Sequence, residues 1–206
     1  MTLVTWVGIA VLSLRDYIRN MWSLTLLLAL LTSTGFAQQP VAHPVNDDFV
    51  HQQFGSTCAL DPKFTPMTAD LNGDGIEDIL IVARCKNPLI DQAEKDYKVV
   101  DPMNSFFGYG NPQVTSTMGQ QDPRLKGICL LIIHGAGADA WHAASPGSKF
   151  VIINIDVKTA VLKKMKLRKR TLTAIYVEEA TGDQMTAAIF WDGKKYKYEP
   201  LGSSME

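Results

Sequence analysis

The sequence is short of charge of one sign, of cysteine and of helix, and each shortage removes a class of function. Against 20 basic residues stand 21 acidic ones, a formal net charge of -1. Taking away residues 1–37 removes Arg15, Arg19 and Asp16, which leaves 18 basic and 20 acidic residues. No global field draws such a chain to nucleic acid or to an anionic surface. There are only 3 cysteines, so one intrachain bridge at most can form. No Asn-x-Ser/Thr acceptor site occurs anywhere, and no Gly-x-Ser-x-Gly or Lys-Ser/Thr phosphate-loop signature is found. These absences lean toward a bacterial source and away from the common hydrolase and nucleotide-binding classes.

Long apolar runs are confined to the start. Met21 to Ala37, MWSLTLLLALLTSTGFA, has an apolar stretch from Trp22 to Leu31, with Gly35 and Ala37 where a signal peptidase takes small side chains. A spanning helix needs roughly 20 apolar residues, more than this stretch supplies before Thr and Ser interrupt it. Residues 1–37 are therefore expected to be a signal peptide, either whole or with translation starting at Met21. An uncleaved anchor is a third option. The mature chain is expected to be exported, periplasmic or extracellular, with no membrane span. In that compartment a disulfide is possible. Cys58 and Cys85 are favoured as the pair, and Cys129, inside the apolar run Ile128–Ile133, as a buried free thiol.

What remains is globular: 46% hydrophobic and 20% charged. Residues 38–48 are polar, carry two prolines, and are expected to be a flexible mature start. Residues 49–206 are expected to form one β-rich domain. Short apolar runs predict strands at 79–83, 128–133, 150–155, 161–167, 171–177, 185–191 and 196–198, the last two joined by the turn dipeptide Asp192-Gly193. Helix is expected only as a short piece over 88–97 and a single turn near 139–144. The stretch 101–122 is expected to be a long loop whose Phe106, Phe107 and Tyr109 pack down. The fold class is thus mainly β, with β-rich α+β possible: a small antiparallel sheet domain with blade-like hairpins and minor helix.

The strongest chemical signal is Asp70-Leu-Asn72-Gly-Asp74-Gly75-Ile76-Glu-Asp78. Oxygen side chains fall at positions 1, 3, 5 and 9. Calcium takes six to eight hard oxygens at about 2.3–2.6 Å, and alternate residues of a tight loop can face one ion. Gly75 permits the positive φ of a sharp reversal, so that the carbonyl of Ile76 can add a backbone ligand. Asp70, Asp74 and Asp78 would repel one another without a cation. The alternative is a metal-free turn, which Asn-Gly-Asp-Gly forms by composition alone. An EF-hand is excluded, because position 12 is Ile81 rather than a bidentate Glu and the flanks are not helical.

The segment Phe64 to Val82, FTPMTADLNGDGIEDILIV, resembles an FG-GAP or VCBS-type repeat, as found in integrin-like β-propellers. The resemblance spans about 19 of the 206 residues. It implies a calcium loop between two strands, with Asp70, Asn72, Asp74 and Asp78 as side-chain ligands and Ile76 as a carbonyl ligand. Such proteins carry several copies and this chain carries one, so a small sheet using the same hairpin is expected rather than a complete propeller.

Three weaker signals complete the reading. Leu130 to Gly137 runs from a strand into His134-Gly135-Ala136-Gly137, a little like the oxyanion segment of esterases, or else a tight turn in which glycines relieve crowding. His134, His142 and Asp139 could build a transition-metal site, or be ordinary hydrogen-bonded side chains. Lys163 to Arg170, KKMKLRKR, is either an anion-binding strip for phosphate-rich lipid or acidic polysaccharide, or a solvated edge that blocks aggregation. No catalytic residues are assigned. The expected function is an exported, non-catalytic calcium-binding structural or interaction module with one Ca2+ and a protein or polysaccharide partner. The alternative is a small secreted hydrolase using the His134–Gly137 loop.

Overall fold

A computed structural model of the chain describes residues 44–109, 127–179 and 184–202. The expected signal segment and Met21 lie outside the described residues, as does most of the expected loop. All described residues belong to one compact unit, Pro40–Glu206.

The protein is mainly β. Helix α1 (Asp47–Phe54) leads into β1 (Cys58–Leu60), β2 (Met67–Ala69) and β3 (Asp78–Cys85). A single turn α2 (Gln92–Lys95), strand β4 (Tyr97–Val100) and helix α3 (Pro102–Phe106) follow. Then come β5 (Ile128–Ile133), a 3-10 turn (Gly137–His142), β6 (Lys149–Ile152), β7 (Val157–Leu167), β8 (Arg170–Glu179), β9 (Ala187–Trp191) and β10 (Tyr196–Pro200). The first sheet has the order β1-β3-β5-β6-β4, with β2 also paired to β3. Its pairs are antiparallel except β4–β6, which runs parallel. The second sheet is a four-stranded antiparallel meander, β10-β9-β8-β7. Neither sheet closes into a barrel.

The apolar runs become strands because β3, β5 and β6 are buried on both faces. Leu80, Val82, Ile128, Leu130, Ile132, Phe150 and Ile152 point into a core shared with Ile175, Val177, Ala187 and Ile189 of the second sheet. Ile79, Ile81, Leu131, Ile133 and Val151 point the other way, under Val50 and Phe54 of α1 and under Trp141. Three layers result: helix, mixed sheet, meander. Fully burying each of these aliphatic side chains is worth about 1.5–3 kcal/mol.

The sequence reading differs from this architecture at the margins. Helix α1 starts inside the stretch read as flexible: Asn46 Oδ1 accepts from Phe49 N at 2.9 Å, and Asp47 and Asp48 fill the first turn. The helix expected over 88–97 is reduced to Gln92–Lys95, ended by Asp96 in a left-handed conformation with φ 51°. Strand β6 stops at Ile152 because Asn154 takes φ 61°. The start of the expected long loop is helical, with Asp101 as cap. Buried Asp101 accepts from Asn104 N at 2.9 Å, Asn104 Nδ2 at 2.5 Å and Asn154 Nδ2 at 2.6 Å, so one carboxylate fixes both α3 and the bend after β6. Phe106 and Phe107 lean on Tyr198, with ring centroids 5.7 and 6.5 Å away, yet stay about half exposed.

Cys58 and Cys85 face each other in the β1–β3 register and form a disulfide, and Cys129 is a buried free thiol. Burial pushes the Cys129 thiol up to about 12.

Candidate functional site

The loop from Asp70 to Asp78 joins β2 to β3, and the pair Ala69↔Asp78 closes its neck. Strands therefore stand on both sides of it. Gly73 and Gly75 take φ 84° and 85°, conformations that an L side chain resists. Around them the side chains curl back onto the loop's own amides. Asp70 Oδ1 accepts from Gly73 N at 2.6 Å and its Oδ2 from Gly75 N at 3.0 Å. Asn72 Oδ1 accepts from Asp74 N at 2.9 Å, and Asn72 Nδ2 donates to Asp74 Oδ2 at 2.8 Å. Asp74 Oδ1 accepts from Ile76 N at 2.8 Å.

Asp78 behaves differently from the other three. It is fully buried. Its Oδ2 accepts from Leu71 N at 2.8 Å and Asn72 N at 3.2 Å, and its Oδ1 from Gly135 N at 2.8 Å. One carboxylate thus ties the entry of the loop, the start of β3 and the end of β5. Burial pushes its carboxyl up to about 6, against the three amides, which pull it down; the nearby Asp74 charge raises it further.

The loop exit is held by the segment after β5. A Cβ on Gly135 would lie 2.3 Å from the Glu77 carbonyl oxygen and 2.8 Å from Ile76 Cγ2, so only glycine fits. Trp141 Nε1 donates to Glu77 Oε1 at 3.2 Å. This is the crowding-relief reading at Gly135, while Gly137 has open space around it and serves the turn through its φ of 63°. No oxyanion arrangement is needed to explain them.

His134 is nearly enclosed. Its Nε2 lies 2.8 Å from Tyr196 Oη, and its ring sits among Phe150, Trp191 and Tyr196 with centroids 5.0, 5.1 and 5.8 Å away. Burial pushes the imidazole down to about 4, only partly offset by the Asp74 and Asp70 charges, and pushes the Tyr196 hydroxyl well above its ordinary value. His142 instead stacks on Trp141 at 3.5 Å between centroids. His134, Asp139 and His142 are therefore not gathered at one centre. Among the described residues no group of three or more His, Cys, Asp or Glu side chains stands together as a metal-holding cluster.

The chain matches no known family model, no characterised protein and no solved structure.

For calcium, the loop offers suitable atoms in an incompletely gathered form. The donors are hard oxygens at alternate positions. Each amide bond occupies one acceptor site of an oxygen that has two. Asn72 and Asp74 are joined by their side chains, whereas Asp70 and Asp78 are each turned onto backbone amides. No Lys or Arg pairs with Asp70, Asp74 or Asp78 among the described residues. The aromatic surroundings of His134 and the three-way role of Asp78 were not legible in the sequence. Phe150, Trp191 and Tyr196 carry no mutual spacing signal; the tertiary fold alone brings them together.

Proposed function

We propose that this protein is an exported, non-catalytic calcium-binding structural or interaction module. The Asp70–Asp78 loop takes one calcium ion, with Asp70, Asn72, Asp74 and Asp78 as side-chain ligands and Ile76 as a carbonyl ligand. One observation carries the reading: Asp70, Asp74 and Asp78 stand on one nine-residue strand-flanked turn, and among the described residues no Lys or Arg pairs with any of them. The resemblance to FG-GAP and VCBS repeats supports the same ligand set. The Cys58–Cys85 bridge supports an oxidising compartment outside the cytoplasm. A calcium ion here would staple the β2–β3 neck rather than perform chemistry.

Isothermal calorimetry of calcium into the wild type and Asp74→Ala tests the reading. Saturable heat is expected for the wild type only, with Kd on the order of 10⁻⁴–10⁻³ M, as in extracellular modules. Equal heats from both proteins remove calcium from the account. The hydrolase alternative has no observation in its favour, because the side-chain hydrogen bond of His134 goes to a tyrosine inside an aromatic box.

A further inference from the structure

The basic run Lys163–Arg170 occupies the far end of the β7–β8 hairpin. Strand β9 pairs with β8 only from Ala174 to Val177, so beyond that point the two strands continue as a ribbon with no further neighbour in the sheet. Cross-strand partners share a face. One face therefore carries Lys163, Met165, Leu167, Arg170 and Leu172; the other carries Lys164, Lys166, Thr171 and Thr173. Between Lys158 and Glu178 no acidic residue occurs. None of the six cations Lys163, Lys164, Lys166, Arg168, Lys169 and Arg170 meets a carboxylate among the described residues. All six side chains are exposed.

The first of these faces is apolar as well as cationic. Met165, Leu167, Leu172 and Tyr176 pack around Ala174, Ala188 and Phe190, and this cluster draws on β7, β8 and β9 alone. No residue of the first sheet or of a helix joins it. Lys163 reaches over the Tyr176 ring with Nζ 5.8 Å from the centroid, so its stem lies on apolar surface while its charge stays at the rim. An edge strand defended only against aggregation needs lysines. It does not need half-buried Met and Leu side chains interleaved with them.

We propose that this hairpin docks the protein peripherally on an anionic phospholipid surface, its cations pairing with headgroup phosphates and Leu167, Leu172 and Met165 entering the acyl boundary. Charge complementarity selects the sign of the partner. The interleaved apolar side chains select a bilayer over a soluble acidic polysaccharide, which would engage the cations alone. No helix among the described residues is long and apolar enough to cross a membrane, and surface docking requires none.

Co-sedimentation with large unilamellar vesicles tests this, using the chain from Gln38 onward, because residues 1–37 would bind lipid by themselves and Pro40–Glu206 is a compact unit with its own core. The buffer contains EDTA, so the outcome is independent of the calcium loop. Binding is expected to phosphatidylcholine vesicles containing phosphatidylglycerol, and to be weak on phosphatidylcholine alone. Each cation removed should cost about fivefold in affinity, so that K163Q/K169Q/R170Q, which spares the opposite face, loses roughly a hundredfold. Leu167→Ser should weaken vesicle binding and leave binding to dextran sulfate unchanged. Circular dichroism confirms that each variant is folded. The proposal is overturned if the wild type does not prefer the phosphatidylglycerol vesicles, or if the triple variant binds them equally well. It is also overturned if Leu167→Ser binds vesicles as tightly as the wild type, which would mark the strip as a site for soluble polyanions.

Discussion

At the scale of single residues, Asp78 carries two demands that pull apart. As a loop ligand it should face a cation; as a buried carboxylate it satisfies three backbone N–H groups. Removing it leaves Leu71, Asn72 and Gly135 N–H groups without their acceptor, and a buried orphan donor costs about 1–3 kcal/mol. Asp78→Ala should therefore lose about 3–5 kcal/mol in urea unfolding even in EDTA, whereas Asp74→Ala, whose bonds are exposed, should lose less than about 1 kcal/mol. Equal and small losses for the two would refute the bracing role of Asp78.

His134 gives a second prediction at this scale. Its folded value of about 4 lies below the ordinary 6.5. The unfolded chain therefore binds the proton more readily, so this contribution to stability is complete above about pH 6.5 and is lost as pH falls toward 4. The loss should amount to about 2–3 kcal/mol. Denaturant titrations of the wild type and His134→Gln at about pH 7 and pH 4 should show it as a steeper decline in the wild type. Parallel declines in the two proteins would show that the imidazole is not held neutral by burial.

At the scale of elements, the β2–β3 hairpin is a loop clamped at both ends. The Cys58–Cys85 bridge spans 27 residues and encloses β1, β2 and the entire Asp70–Asp78 turn. In the chain-entropy account, a bridge of that span contributes about 3–4 kcal/mol by restricting the unfolded chain. Cys58→Ser/Cys85→Ser should lower the unfolding free energy by that order, with the mature protein otherwise folded around its two cores. No change in the denaturation midpoint would mean that the unfolded chain is already compact there. The loop was legible at this scale because its signal is local: alternate oxygens and two glycines fall within nine residues, and an apolar strand follows directly. Strands β3, β5, β8, β9 and β10 were legible for the same reason. Helix α1 was not, because its only buried side chains are Val50 and Phe54, one helical turn apart, too brief a pattern to distinguish from polar coil. Strands β1, β2 and β4 are three or four residues long, and they exist because β3 and β6 offer them an edge.

At the scale of the whole molecule, composition and local pattern determined that the chain is mainly β and that one turn concentrates carboxylates, while the Cys58–Cys85 pair was only favoured. Those features depend on residues close in sequence, whose hydrogen bonding and burial preferences act before the chain is folded. The tertiary structure alone decided the split into a six-stranded and a four-stranded sheet, the parallel β4–β6 pair, and the enclosure of His134 by Phe150, Trp191 and Tyr196. It also decided that Asp78 reaches Gly135, 57 residues away, and that the basic hairpin carries an apolar face drawn from three strands. Contacts of that kind arise from packing two sheets and a helix against one another. Their energies depend on which surfaces are removed from water together, and no stretch of neighbouring residues encodes that.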